Sequence, residues 1–172
     1  MFSTWSIRSR QIGVLALLVA VLVVASVGGL IVSRGRASAS NTKTAQRIDL
    51  AAGLPSFAPG YRLSLTEAVL PPGAAFPPHR HPGMQVAYIK SGTLQFTVFR
   101  GSVPVFSGQP GTTQKLIRVL RRGQTGSVRA GEWIIETPSL WHRGANAGRK
   151  RVVILLATLL REHEPAAIPV TP

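Results

Sequence analysis

The fold class the 172-residue sequence predicts is an all-β domain behind one N-terminal transmembrane helix, and three observations carry it. The first is an apolar run, "QIGVLALLVAVLVVASVGGLIV", with no charge from Ile12 to Val32. The second is a series of short segments rich in β-formers from Tyr61 onward, separated by Gly, Pro and Ser. The third is composition. Thirteen prolines and seventeen glycines supply turns, and long runs of Ala, Leu, Glu and Lys are missing outside the N-terminus.

In chain order, residues 1–10 form a short basic tail and 11–32 the transmembrane helix. The 21 residues from Ile12 to Val32 span about 31 Å as a helix, the thickness of a bilayer core. A cleaved signal peptide competes with this reading, because Ala37-Ser38-Ala39 has the small-residue pattern of a cleavage site. The apolar run is longer than signal peptides need, which favours an uncleaved single-pass anchor in the cell membrane. The charges on its two sides, Arg8 and Arg10 against Arg34, Arg36, Lys43 and Arg47, do not choose an orientation. An N-terminal apolar segment on a short basic tail usually acts as an export signal, so the body is expected on the extracytoplasmic side.

Residues 33–60, rich in Ser, Ala, Gly and Pro, read as a linker, and 61–161 as the β domain. Its strands are "YRLSLTEAVL", "MQVAYIK", "TLQFTVFR", "VPVF", "QKLIRVL", "GSVRA", "EWIIET" and "RVVILLATLL". The last is long enough for a helix. Val152, Val153 and Ile154 after the turn "NAGRK" favour a strand. Short strands with turns between them suggest a sandwich or a barrel. The segment "FRGSVPVFSGQPGTTQKLIRVLRRGQTG" reads as an extra hairpin or loop. Residues 162–172, with three prolines, read as an irregular tail, and His163 between Glu162 and Glu164 as solvated.

No cysteine is present, which removes disulfides, zinc–thiolate sites, Fe–S clusters and thiol nucleophiles. The net charge is +14, from twenty basic against six acidic residues. The basic residues are scattered and no nucleic-acid-binding motif appears, so no nucleic-acid partner is expected. A basic surface beside an anionic leaflet explains the excess. Acids are few and no Gly-x-Ser-x-Gly is present, which argues against a hydrolase triad.

Two of the four histidines sit one residue apart in "PPGAAFPPHRHPGMQVAYIKSG". In a strand, residues i and i+2 share a face, so His79 and His81 project together with Arg80 facing away. Gln85 begins the next strand and is placed to turn its side-chain oxygen towards them. His142 comes from a distant strand-like segment after a second Pro-containing turn. Two adjacent donors and one remote donor can meet on one ion, and neutral imidazoles suit iron, manganese, nickel, copper and zinc. Aromatics in or beside strands, Tyr88, Phe96, Trp133 and Trp141, read as core, with Trp141 the candidate pocket wall.

The series Gly73, His79, His81, Gln85, Gly92 is similar in spacing to the first motif of the cupin family. Gly131, His142 and Asn146 match the second motif more loosely, its proline falling at Pro138, one place late, and its inner glycine at Ser139. The resemblance covers about 63–160. It implies a double-stranded β-helix (cupin) barrel holding a divalent metal, iron, manganese, nickel or zinc, through His79, His81 and His142. Gln85 stands where the family commonly has a glutamate ligand. It is then a weaker, neutral fourth metal ligand or merely a neighbour. Losing that carboxylate leaves more of the ion's charge uncompensated, which favours a small anionic ligand and removes a candidate base. The resemblance also implies a homodimer.

Three functions stay open on these residues: a metal-dependent dioxygenase or isomerase acting on a small molecule, a non-catalytic ligand-binding or sensory module, and a barrel that no longer binds metal.

Overall fold

The computed structural model describes residues 44–108 and 112–172. The basic tail, the apolar run 11–32 and the first part of the linker lie outside these residues. Among the described residues there is no helix, and so none long and apolar enough to cross a membrane.

Among the described residues twelve strands form two antiparallel sheets. The strands read from the sequence are present within a residue or two of their expected ends. They are β2 (Tyr61–Leu70), β4 (Gly83–Ser91), β5 (Thr93–Arg100), β6 (Ser102–Ser107), β7 (Lys115–Arg121), β8 (Thr125–Arg129), β9 (Glu132–Glu136) and β11 (Val152–Arg161). The histidine-bearing segments are β3 (His79–Arg80) and β10 (Trp141–Ala145). The seven-stranded sheet runs β1-β2-β11-β4-β9-β6-β7, with β1 at Gln46–Gly53. The five-stranded sheet runs β12-β3-β10-β5-β8, with β12 at Ile168–Pro169.

Two expectations need correction. The linker read over 33–60 contains β1, which pairs with β2 from Gln46↔Val69 to Gly53↔Leu63. Every residue of β1 is exposed, so backbone pairing rather than burial holds it, and only the short alternation Arg47-Ile48-Asp49-Leu50 marks it in the sequence. The tail read as irregular over 162–172 contains β12, which pairs with β3 at Ile168↔Arg80 and Pro169↔His79. The extra hairpin read between the motifs is present as β6–β7, and it is partly core. It joins the larger sheet against β9, with Val103 and Val105 fully buried. Arg118 of that hairpin is not free for a ligand. It makes a paired hydrogen bond to Glu132 at 2.6 and 3.2 Å and also donates to the Ser127 carbonyl.

Strand parity builds the interior. In β4 the inward residues are Gly83, Gln85, Ala87 and Ile89, and in β9 they are Ile134 and Glu136. In β11, Val152, Ile154 and Leu156 point in, and the core fills with Leu70, Phe96, Val98 and Val128 from both sheets. Interior polar residues follow the same parity, so the site and the core share one set of strands.

Glycines hold two close approaches. Gly83 lies so near β11 that a Cβ there would stand 2.1 Å from the Leu159 carbonyl oxygen. Gly92, the last motif glycine, joins β4 to β5 with φ +79°, and a Cβ would stand 2.6 Å from the Arg151 carbonyl oxygen. Gly92→Ala is expected to cost at least about 1–2 kcal/mol, the penalty of a left-handed non-glycine residue. Urea unfolding checks this as a lower midpoint at unchanged m-value.

Candidate metal centre

His79 lies on β3 and His142 on β10, and the two are direct cross-strand partners. His81 follows β3 immediately. All three are buried, at 3%, 1% and 3% exposure. One ring nitrogen from each lies within 4.8 Å of the others, and the ring centroids are 4.3–5.2 Å apart. The expected convergence of the three imidazoles is thus present in the barrel interior.

Their outer edges are fixed by backbone. His79 Nδ1 donates to the Pro77 carbonyl at 2.7 Å, and His81 Nδ1 to the Ala166 carbonyl at 2.5 Å. A carbonyl can only accept, so each Nδ1 carries the hydrogen and the neutral ring's Nε2 keeps a free lone pair. Such an outer hydrogen bond is what orients a metal-binding histidine. The C-terminal segment therefore has a role that the sequence did not show, because its Ala166 carbonyl sets the ring of His81. His142 is oriented by packing: Phe96 stacks on its ring at 4.8 Å with planes 13° apart.

Gln85 is buried at the predicted place, but its amide is turned otherwise than expected. Its Nε2 donates to Glu136 Oε2 at 2.7 Å and lies 3.4 Å from His81 Nε2. Its Oε1 is buried with no hydrogen-bond partner. Glu136 is a site residue the sequence reading missed. It is 3% exposed, and its Oε2 lies 3.0 Å from His81 Nε2 and 3.5 Å from His142 Nε2. Parity along "EWIIE" signals it, since Glu136 shares the face of the core residue Ile134.

Trp141 is not a pocket wall. It lies at an irregularity of β10 between Trp141 and His142, under the Arg100 guanidinium at 5.2 Å, and does not border the inner cavity. Phe96 and Phe76 supply the aromatic walls instead. Tyr88 and Trp133 are paired on the outer face of the larger sheet. Asn146 closes the loop after β10 by donating to the Leu70 and Lys150 carbonyls. His163, 90% exposed, plays no part in the site.

The electrostatics suit a cation. Burial lowers the pKa of His79 to about 4, and burial likewise lowers that of His142, so both rings are neutral ligands at pH 7. Burial alone would raise the Glu136 pKa, but His142, His81 and His79 outweigh it and bring it to about 2. A buried anion thus faces imidazole lone pairs, and a dication satisfies both. The donor set fits the divalent metals that imidazole and carboxylate share.

Two predictions follow from this geometry. In the metal-free protein the unfolded chain binds protons that folded His79 refuses between about pH 6.5 and 4. Glu136 adds the same sign between about 4.5 and 2. Stability is therefore full above about pH 6.5 and falls on acidification, by a few kcal/mol in order of magnitude. Urea midpoints across this range test it, and His79→Gln should flatten the upper part of the profile. Deleting 166–172 removes the acceptor of His81 and should weaken divalent-metal affinity by roughly 10–100-fold, read by metal titration. His163→Ala should leave that affinity unchanged.

No family model and no curated protein matches this sequence. Solved structures of similar shape include a cupin 2 domain-containing protein from Halorhodospira halophila, at 14% identity and TM-score 0.49, covering 75% of this chain and 72% of that one. An oxalate oxidase in complex with the substrate analogue glycolate is similar at 19% identity and TM-score 0.47, over 76% of this chain and 57% of that one. KdgF from Halomonas sp. is similar at 15% identity and TM-score 0.45, over 70% and 81%. The two motifs thus lie on paired antiparallel sheets with their three histidines brought together inside, the arrangement that the sequence resemblance to the cupin family implies.

Proposed function

We propose that the chain is a membrane-anchored cupin that holds a divalent metal ion through His79, His81 and His142 and acts on a small anionic molecule, as a metal-dependent dioxygenase or isomerase. The observation that carries the metal is the meeting of three buried imidazoles, two of them with Nδ1 committed to backbone carbonyls. A bound metal would supply Lewis acidity and an open coordination position. The anchor rests on the uncharged run from Ile12 to Val32. The exposed Leu63, Leu65, Met84 and Val86 on the outer face of the larger sheet support the homodimer as part of the same reading.

An anionic ligand is supported by Arg47. Its guanidinium lies 5.0 Å over the Phe76 ring, and it borders both the inner cavity beside the imidazoles and a wider mouth of about 500 Å³ lined by Phe76, Pro77 and His79. Arg47 keeps much of its surface in water, yet the packing round its guanidinium lowers its pKa by desolvation, against the pull of Glu136 and Asp49. It remains a cation at any physiological pH. Phe76 and Phe96 keep the approach to the imidazoles apolar, so a carboxylate entering there exchanges water for Arg47.

A second reading, a ligand-binding or sensory module without turnover, is favoured by the inner cavity. Its volume is about 20 Å³, room for little more than one water. A substrate reaching the imidazoles would have to displace Phe76 or Arg47.

Metal analysis of the full chain purified in detergent tests the proposal. One divalent ion per chain is expected, with loss of roughly 10–100-fold or more in affinity for His79→Ala, His81→Ala or His142→Ala. Wild-type chain that stays metal-free in excess Mn²⁺, Fe²⁺, Ni²⁺ and Zn²⁺ would rule it out. Product analysis of metal-loaded chain with small carboxylates then separates the enzyme from the binding module.

A further inference from the structure

Gln85 and Glu136 are direct cross-strand partners on β4 and β9, inward on the same face. Side chains in such a pair have Cβ atoms about 4.5–5.5 Å apart, so a group moved from one to the other stays in reach of the same point. The carboxylate that the first motif lacks at Gln85 is therefore present, one strand over.

Its contacts are those of a ligand rather than of an ordinary ion pair. The His81 hydrogen sits on Nδ1, donated to Ala166, so in the neutral ring a lone pair of Nε2 faces Glu136 Oε2 at 3.0 Å. His142 Nε2 faces the same oxygen at 3.5 Å. Acceptors that close repel unless a cation lies between them. Donors bonded to one ion at about 2.0–2.2 Å are separated by about 3.0–3.5 Å at tetrahedral or octahedral angles, which matches both distances. Of the six acidic residues in the chain, Glu136 is the one held at 3% exposure in the barrel interior. Gln85 supplies its own hydrogen bond to that oxygen at 2.7 Å and so fixes where the carboxylate stands.

We infer that Glu136 is the fourth protein ligand of the metal centre, and that Gln85 is its positioning residue and not a ligand. The inference rests on the metal reading above. It reassigns the negative charge of the site from β4 to β9 and keeps one carboxylate beside three imidazoles.

The test compares the full chain in detergent with Glu136→Gln, Gln85→Glu/Glu136→Gln and Gln85→Ala, each titrated with Co²⁺ while its visible absorption is recorded. Glu136→Gln should weaken Co²⁺ binding by at least about tenfold and change the shape of the absorption bands. The double variant, which returns the carboxylate to β4, should regain most of the affinity. Gln85→Ala should weaken binding less than Glu136→Gln and keep the band shape. Unchanged affinity and spectrum in Glu136→Gln would overturn the inference, leaving Glu136 as a counterion to a protonated His81. If Glu136→Gln does not fold by circular dichroism, the double variant decides: Co²⁺ binding supports the inference, and a folded double variant with no affinity overturns it. Wild-type chain with no Co²⁺ affinity would instead defeat the metal reading itself.

Discussion

One ionised carboxylate inside a closed sheet is the constraint on which the rest of this barrel turns. A buried anion costs several kcal/mol unless it is paired and hydrogen-bonded. Glu136 Oε2 meets that demand in part with the Gln85 amide at 2.7 Å, and its approach to the ring nitrogens of His81 and His142 would be satisfied by a shared cation. These partners come from both sheets: Gln85 and Glu136 from the seven-stranded one, His142 from the five-stranded one beside β3. The polar cluster therefore ties the two sheets at one level of the interior, while Phe96, Ile134 and Ile154 join them apolarly. Removing any one member leaves the others buried without a partner, which costs more than the lost contact.

The same constraint explains why the chain ends contribute. β3 is only two residues long and cannot hold His79 and His81 in place by its own pairing. β10 covers one edge through His79↔His142, and β12 covers the other through Pro169↔His79. The Ala166 carbonyl then sets the ring of His81 from just before β12. At the other end of the described chain, β1 carries Arg47 to the mouth, over Phe76. Neither segment adds to the apolar core. Both add orientation, which is what a site of several ring nitrogens requires.

Most of the fold was legible because parity and turns are local signals. "TLQFTVFR" alternates and ends in turns, and it is β5 residue for residue. Val152, Val153 and Ile154 decided strand over helix for β11 correctly. The three histidines were legible through the His-x-His spacing and the motif resemblance together, His79 on a short strand, His81 just after it and His142 after a distant turn. What was not legible depends on partners far along the chain. β1 has no buried face and only a four-residue alternation, Arg47 to Leu50, and β12 contains a proline and spans two residues. Phe76 sits in a proline-rich loop without periodicity. Glu136 differs from these, because counting alternate residues from Ile134 places it inside.

The location of the carboxylate also changes the argument about ligand charge. With Gln85 as the nearest polar group, a dication would stand among neutral donors, and its uncompensated charge would by itself favour an anion. With Glu136 on the same ion the protein contributes one negative charge, and the net charge of the centre falls to about +1. The proposed preference for an anion would then rest less on the ion and more on Arg47, whose cation stands at the mouth beside Phe76 and His79. The two charges act at different depths: the inner one offers a coordination position, the outer one a counter-charge on entry. A ligand with two acidic or chelating groups a few ångströms apart satisfies both at once, whereas one with a single acidic group must leave one of them to water.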